Sequence, residues 1–415
     1  MEYKEMEIRK LMDKLRAEEK RRRLLFEELQ KLRGTIRVIC RIRPVDGNDE
    51  LFEYKIEKGE FHDHPAKLTV REDEKGLHGE LKSIWSATYE FERIFLPGET
   101  NGDVFGEISN FVQSVIDGKK ACIFCYGQSG TGKTYTMSNL DDVEDREEGV
   151  DFENDGIIPR VKTMLFRGKN RLNELGIDMD AQGCCYEIYN NELWLLKSSG
   201  SEKKRILKAE RDVKDPEFTI LNSAKDFDDM VEAGMKNRHF GATGLNDTSS
   251  RSHFIIRIKT TVRGSSGEVR EGLLHLVDLA GSEKTRDAGT AGARLQEGTN
   301  INVSLSALRK VFADLAEGRR PVYNGNILTE LLQHTLGPDC MTLMLVMINP
   351  LAANWPATKY TLQIALTEYE STSRKASFEQ VVEGNGESRG YEVIEATVVV
   401  QGDKCLMTRL PAPSG

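Results

Sequence analysis

Gly127-Gln-Ser-Gly-Thr-Gly-Lys-Thr134 follows the apolar run Ala121 to Cys125, and together they read as a buried strand breaking into a glycine-rich phosphate loop. The glycines let consecutive backbone N–H groups across Gln128, Ser129, Gly130, Thr131 and Gly132 turn inward around phosphates. Lys133 then reaches the β and γ oxygens, and the Thr134 hydroxyl is placed to ligate Mg²⁺. A helix starting at this point adds its positive end. Strand, phosphate loop and helix in that order predict an α/β fold with a nucleoside triphosphate, ATP or GTP, at the C-terminal end of the loop's strand.

Two later segments fit a nucleotide switch. Asn246-Asp-Thr-Ser-Ser-Arg-Ser-His253 offers the Ser249 and Ser250 hydroxyls, which can close over a terminal phosphate and its metal. Leu276-Val-Asp-Leu-Ala-Gly-Ser-Glu283 ends another apolar strand with Asp278, where a carboxylate can hold an Mg²⁺-bound water. Gly281 has no side chain to block its N–H from the γ-phosphate. Arg251 and Glu283 carry opposite charges, which predicts an ion pair latching the two segments together. The bland alternative for that pair is a surface contact of small energetic value.

In this order GQSGTGKTYTM, NDTSSRSH and DLAGSE resemble the phosphate loop and the two switches of a kinesin motor domain. Arg41-Ile-Arg-Pro44, Gly156-Ile-Ile-Pro-Arg160, Glu187-Ile-Tyr-Asn190 and Ile301-Asn-Val-Ser-Leu-Ser-Ala-Leu308 extend the resemblance across residues 35–375. It implies a kinesin-like P-loop NTPase that uses ATP and Mg²⁺, built on a central, mostly β sheet sandwiched by helices. It also implies that the adenine lies near Arg41, Arg43 and Pro44 with Tyr135 stacked on its face, as aromatic planes stack on bases. Without the family, Tyr135 reads as a packing residue at a helix start, and Arg41 and Arg43 as a solvated strand edge. The resemblance assigns catalytic work to Lys133, Asn246, Ser249, Ser250, Arg251, Gly281 and Glu283, with Arg251 and Glu283 aligning the hydrolytic water. The metal set it implies is Thr134, Ser250 and Asp278.

The 415 residues carry a net charge of −9 and a pI near 5.5, which argues against nucleic-acid binding, normally the work of a basic domain. No apolar stretch approaches a membrane span, and the charged start Met1 to Lys20 lacks a signal-peptide core. A cytoplasmic protein of the cytoskeleton or spindle is expected. Cys122 and Cys125 form a CxxC with no second pair nearby and read as reduced thiols rather than a metal or redox site. Acidity concentrates in Asp141 to Asp155, which reads as a solvated enlargement of the loop beside the nucleotide, with gating as the other reading.

Residues 1–33 lack Gly and Pro and place Ile8, Leu11, Leu15, Leu25, Leu29 and Leu32 at 3-4 spacing, with Glu18 and Arg22 in two core positions between them. That stripe predicts a neck or stalk coiled coil with a polar break, pairing with a second copy or another chain; a lone helix packed on the head is the alternative. Gly34 is the expected joint to a motor head over 34–376. A coil running directly into Ile36-Arg-Val-Ile-Cys-Arg-Ile-Arg-Pro44 resembles the C-terminal-motor kinesins, the kinesin-14 class, typically minus-end-directed on microtubules. The abrupt start in coil is expected of a fragment of a longer stalked protein. In the extension over 377–415, Tyr391 to Val400 and Lys404 to Leu410 flank a Gln-Gly-Asp turn, the pattern of a β-hairpin.

Kinesins usually carry Asn-Lys-Ser-Leu and Pro-Tyr-Arg-x-Ser-Lys-Leu-Thr where this chain has Asn302-Val-Ser-Leu305 and Val322-Tyr-Asn-Gly-Asn-Ile-Leu-Thr329. Three family cations thus become Val303, Asn324 and Ile327. Against acidic tubulin each loss removes a long-range attraction, which predicts a weakened or altered microtubule interface or, in the extreme, a non-motile nucleotide-binding subunit. Lys284, Arg286, Arg294, Arg309, Lys310, Arg319 and Arg320 are the cations available to rebuild it.

Overall fold

The structure of the protein, a computed structural model, describes residues 2–33, 36–45, 49–57, 66–75, 81–141, 149–196, 203–206, 218–239, 250–264, 267–283, 293–337, 339–365, 399–401 and 404–406. Met1–Ala376 and Ser377–Gly415 are separate units. In the second, Val399–Gln401 pairs antiparallel with Lys404–Leu406, and the remainder of the expected hairpin lies outside the described residues.

The first unit is built on strands β1 (Ile36–Ile42), β2 (Glu53–Glu57), β3 (Ala66–Lys75), β4 (Leu81–Phe91), β5 (Arg93–Phe95), β6 (Lys120–Tyr126), β7 (Asp178–Tyr189), β8 (Glu192–Leu196), β9 (Lys203–Ile206), β10 (Thr219–Ile220), β11 (His253–Arg263), β12 (Val269–Asp278) and β13 (Cys340–Ile348). The central sheet runs β5-β1-β13-β6-β12-β11-β7-β8-β9, with β10 on β7, while β2, β3 and β4 form a small sheet of their own. Strands from β5 to β12 along this order are parallel, and those beyond are antiparallel. The phosphate-loop strand β6 therefore has parallel neighbours on both sides. From Ala121 to Tyr126 it is buried throughout, as expected where helices cover both faces of a parallel sheet. The C-terminal ends of β6, β12 and β13 consequently meet, and Asp278 pairs in register with Cys125, one residue from the end of β6.

Helices α2 (Asn101–Ile116), α3 (Lys133–Ser138), α4 (Ile157–Glu174) and α5 (Ala224–His239) cover one face. α6 (Ala293–Ala316), α7 (Ile327–Leu332) and α8, over 355–365, cover the other. α2 begins at a capping box in which the Thr100 N–H donates to the Asp103 carboxylate at 2.8 Å, and its Val104, Ile108, Phe111, Val112 and Val115 form one apolar face. Strand alternation divides the core. Cys122, Phe124 and Tyr126 pack toward α6, α7 and α8, whereas Ala121, Ile123 and Cys125 pack toward α2, α4 and α5. The two cysteines of the CxxC thus lie on opposite faces of the sheet, where they cannot share a metal.

Helix α1 (Glu2–Arg33) docks on the head through a polar seam. Arg16 Nε donates to the Leu175 carbonyl at 2.9 Å, Arg22 bridges Glu19 and Asp117 at 2.7 Å each, Arg171 reaches Glu19 at 3.2 Å, and Glu27 pairs with Lys119 at 2.9 Å. Leu11, Leu15, Leu25 and Leu29 are left 43–57% exposed. The side chains of Ile8 and Leu32 lie outside the described residues. No helix among the described residues is long and apolar enough to cross a membrane.

Candidate nucleotide site

From Tyr126 the chain turns through Gly127 to Gly132 into α3, with Gly130 and Gly132 at φ +76° and +92°, backbone that favours glycine. Lys133 is buried, and its ammonium donates to the carbonyls of Gly127 (2.9 Å) and Gln128 (2.8 Å). Burial lowers its pKa, against the opposing pull of Asp278 and Glu283. Thr134 Oγ1 donates to Asp278 Oδ2 at 2.9 Å. The same oxygen accepts from Arg238 Nη1 at 3.0 Å, in an ion pair whose side chains are 5% and 3% exposed.

Arg238 arrives from α5, binds the hydroxyl and carbonyl of Ser252 at 3.2 and 3.0 Å, and lies over the Phe254 ring. Sequence reading places Asp278 but misses Arg238. Asp278 Oδ1 and Gln128 Oε1 are buried with no hydrogen-bond partner among the described residues. Uncompensated acceptors beside a lysine and a threonine hydroxyl fit a hydrated divalent cation accompanying phosphates.

The two switch segments are joined through their main chains. Gly281 N–H donates to the Ser250 carbonyl at 2.9 Å, and Ser282 N–H to the Gly127 carbonyl at 3.1 Å. A Cβ on Gly281 would collide with the Ser129 hydroxyl and the Glu283 carboxylate. The expected latch between Arg251 and Glu283 is not made. Glu283 instead accepts from the Ser129 N–H (2.8 Å) and hydroxyl (2.5 Å), while Arg251 Nη1 meets Glu297 of α6 at 3.1 Å. Each charge has a closer partner: Ser129 offers two donors to Glu283, and Arg251 sits beside α6. Tyr189 donates to the second oxygen of Glu297 at 2.5 Å, and that hydrogen bond is the main reason its pKa rises to about 12.

His253 closes NDTSSRSH, yet its part emerges only in three dimensions. Its Nδ1 accepts from the Ala280 N–H at 3.0 Å and its Nε2 faces the Ser304 hydroxyl at 2.7 Å. Ser304 directs its own proton to the Ile301 carbonyl at 2.7 Å, so the imidazole is neutral with its hydrogen on Nε2. Burial, then the charges of Arg238 and Lys133, push its pKa down to about 3. Asn246 and Ser249 lie outside the described residues.

The residues expected around the base divide. Arg43 and Pro44 are exposed, Arg43 touches the Gly130 carbonyl, and Tyr135 is 46% exposed. Arg41 is instead buried, with Nη1 donating to Asn101 Oδ1 (2.5 Å) and Thr136 Oγ1 (2.7 Å) and Nη2 to the Glu99 carbonyl (3.2 Å). It braces α3 against α2 rather than facing a base. β1 ends at Ile42, so Arg41 is held within the layers while Arg43 lies beyond the strand. The acidic loop also departs from expectation at its base. Asp155 is fully buried and accepts from the N–H groups of Asp141 (3.1 Å) and Phe152 (2.8 Å), whereas 142–148 lie outside the described residues.

Of the three positions where cations are replaced, two are on the surface. Val303 is 53% exposed and Asn324 is exposed, but Ile327 is 7% exposed and packs with Leu328 and Leu332 in the core. Asn326 caps α7 by accepting from the Leu328 N–H at 2.9 Å, which turns Ile327 inward. Ile327 therefore belongs to the core, not to a track-facing surface. Arg319 pairs with Asp314 at 2.9 Å and touches Glu317; Lys310 and Arg320 are exposed and Arg309 is half-buried. Lys284, Arg286 and the Arg294 side chain lie outside the described residues.

The chain matches the kinesin motor domain family over residues 41–368. Kinesin-like protein klpA of Emericella nidulans is 38% identical over 368 residues, covering 85% of this chain and 46% of that protein. Kinesin-like protein KIN-14M of Oryza sativa subsp. japonica is 37% identical over 357 residues, covering 83% of this chain and 29% of that protein. The chain thus spans less than half the length of these relatives. Among solved structures, the C-terminal motor and motor homology domain of Kar3Vik1, fused to a synthetic heterodimeric coiled coil, superposes with a TM-score of 0.73 at 33% identity, covering 88% of this chain and 93% of that one. The motor domain of the Kar3-like kinesin from Ashbya gossypii gives 0.64 at 31% identity, covering 81% and 100%. With its phosphate loop, both switch segments and a sheet of the same architecture, the chain belongs to the kinesin family, and within it resembles the C-terminal-motor, kinesin-14 class.

Proposed function

We propose that residues 34–376 are the Mg²⁺-dependent, ATP-hydrolysing head of a microtubule motor, minus-end-directed in type, with a weakened or altered track interface. The carrying observation is Asp278, one oxygen fixed by Thr134 and Arg238 and the other a buried acceptor beside the phosphate loop. Bound Mg-ATP would supply the transferable phosphoryl group and the cation that offsets its charge. Lys133 and the loop amides from Gln128 to Gly132 would hold the phosphates, Thr134, Ser250 and Asp278 the metal, and Arg43, Pro44 and Tyr135 the base. Gly281 would offer its N–H to the terminal phosphate. Ser249 and Asn246 would close the first switch over it. Arg251 and Glu283, once released from Glu297 and Ser129, would orient the attacking water.

The exposed leucines of α1 support pairing of residues 1–33 with a second helix, from another copy or a different chain, and residues 377–415 form an extension beyond the head. We place the protein in the cytoplasm on the cytoskeleton or spindle. A second reading, a kinesin-like subunit with little track binding, draws its support from the uncharged exposed surface at Val303 and Asn324. ATPase rate measured against microtubule concentration at low and moderate salt separates them. Saturable, salt-sensitive stimulation supports the motor, hydrolysis without stimulation supports the second reading, and nucleotide binding without hydrolysis defeats both.

A further inference from the structure

Three turns of α6 are tied to the sheet along one helix face. Glu297 accepts from Tyr189 at 2.5 Å, Asn300 donates to Asn190 at 2.7 Å, and Ser304 meets His253 at 2.7 Å. The ties differ in kind. Asn300 and Ser304 bind neutral partners, whereas Glu297 also takes the guanidinium of Arg251 at 3.1 Å. On the other side, Glu283 is occupied by the amide and hydroxyl of Ser129. The two charges that must meet to orient water are therefore each held by a different partner.

We propose that Glu297, oriented by Tyr189, is a competing acceptor that withholds Arg251 from Glu283 and so limits ATP cleavage by the head. This rests on the ATPase reading above. The Arg251–Glu297 pair is half-buried, at 30% and 17% exposure, so it is strong enough to bias the guanidinium and weak enough to exchange. The Tyr189 hydroxyl takes one carboxylate oxygen and leaves the other aimed at Arg251, which makes tyrosine a positioning residue rather than a catalytic one. One acidic side chain exchanges for another at the same guanidinium, so each state leaves one carboxylate held by neutral donors alone, Glu283 on Ser129 before the exchange and Glu297 on Tyr189 after it.

The test is single-turnover ATP cleavage by the full chain without microtubules. Glu297→Gln keeps size and hydrogen bonding but removes the competing charge, and is expected to speed cleavage roughly three- to tenfold with little change in ATP affinity. Tyr189→Phe should act in the same direction by about twofold. Asn300→Ala loosens the neighbouring turn of α6 without touching Arg251 and should leave the rate unchanged. In an Arg251→Ala background Glu297→Gln should have no effect. Slower or unchanged cleavage in Glu297→Gln, or equal acceleration by Asn300→Ala, overturns the competition while leaving the ATPase reading intact. Absence of cleavage by the unmodified chain removes that reading first.

Discussion

Replacing Arg238 by Ala removes the ion-pair partner of Asp278, whose carboxylate is 3% exposed and is left with the Thr134 hydroxyl at 2.9 Å and the nearby charge of Lys133. Breaking one side of a buried ion pair typically costs about 3–5 kcal/mol, because the remaining charge cannot recover its hydration. Loss of the guanidinium over Phe254, 5.3 Å from the ring centroid, adds about 1 kcal/mol. Against total stabilities on the order of 5–15 kcal/mol, that is a large fraction. Urea unfolding of the nucleotide-free chain, followed by circular dichroism, should show a loss of about 4–6 kcal/mol. Adding Asp278→Asn should recover about 2 kcal/mol or more by removing the stranded charge. A loss below about 1 kcal/mol for Arg238→Ala, or no recovery in the double variant, would refute the view that this pair holds α5 to the end of β12.

Ile327→Lys, which restores the family's residue type, should destabilise α7 by about 2–4 kcal/mol through lost apolar burial and a poorly solvated ammonium; a lower melting temperature without tighter microtubule binding is the expected result. Val303→Lys with Asn324→Arg adds cations at exposed positions worth about 0.5–1 kcal/mol each, so co-pelleting with microtubules should tighten about five- to thirtyfold at low salt and less at high salt. No change would mean that neither position faces tubulin. Acid should weaken the fold through its buried imidazoles: the His253 pKa is held near 3 and burial pushes that of His275 well down, whereas both ionise near 6.5 when unfolded. Their contribution is complete above about pH 6.5 and is lost as pH falls below it, for His253 until about pH 3, by up to about 1.4 kcal/mol per pH unit for each. Melting temperatures between pH 7.5 and 4.5 should decline less steeply in His253→Asn, and equal slopes would exclude this origin.

The phosphate loop and switches were legible in the sequence because their chemistry is local: glycines, a lysine and hydroxyls must be consecutive to surround one phosphate chain. What escaped depends on distant partners. Arg238 falls four residues after Gly234 and seven after Val231, both buried, so a cation on the core stripe of α5 signalled a buried acid without identifying Asp278. Glu297 carried no such signal, since only folding brings Arg251 and Tyr189 to it. Ile327 shows the opposite error. Ile327, Leu328, Leu331 and Leu332 recur at helical spacing, a core pattern that residue-by-residue likeness to a cationic family position had obscured.

The two seams of α1 give the junction between helix and head an unusual response to its medium. Among the described residues its contacts with the head include ion pairs at 2.7–3.2 Å, of which Glu27–Lys119 has both partners well exposed and is the most open to screening by dissolved salt. Its outward leucines depend on water rather than on charge, and salt leaves that preference intact or reinforces it. Raising ionic strength should therefore loosen the exposed part of the helix's hold on the head while sparing any association through its apolar stripe, so its two attachments answer to electrolyte in opposite senses.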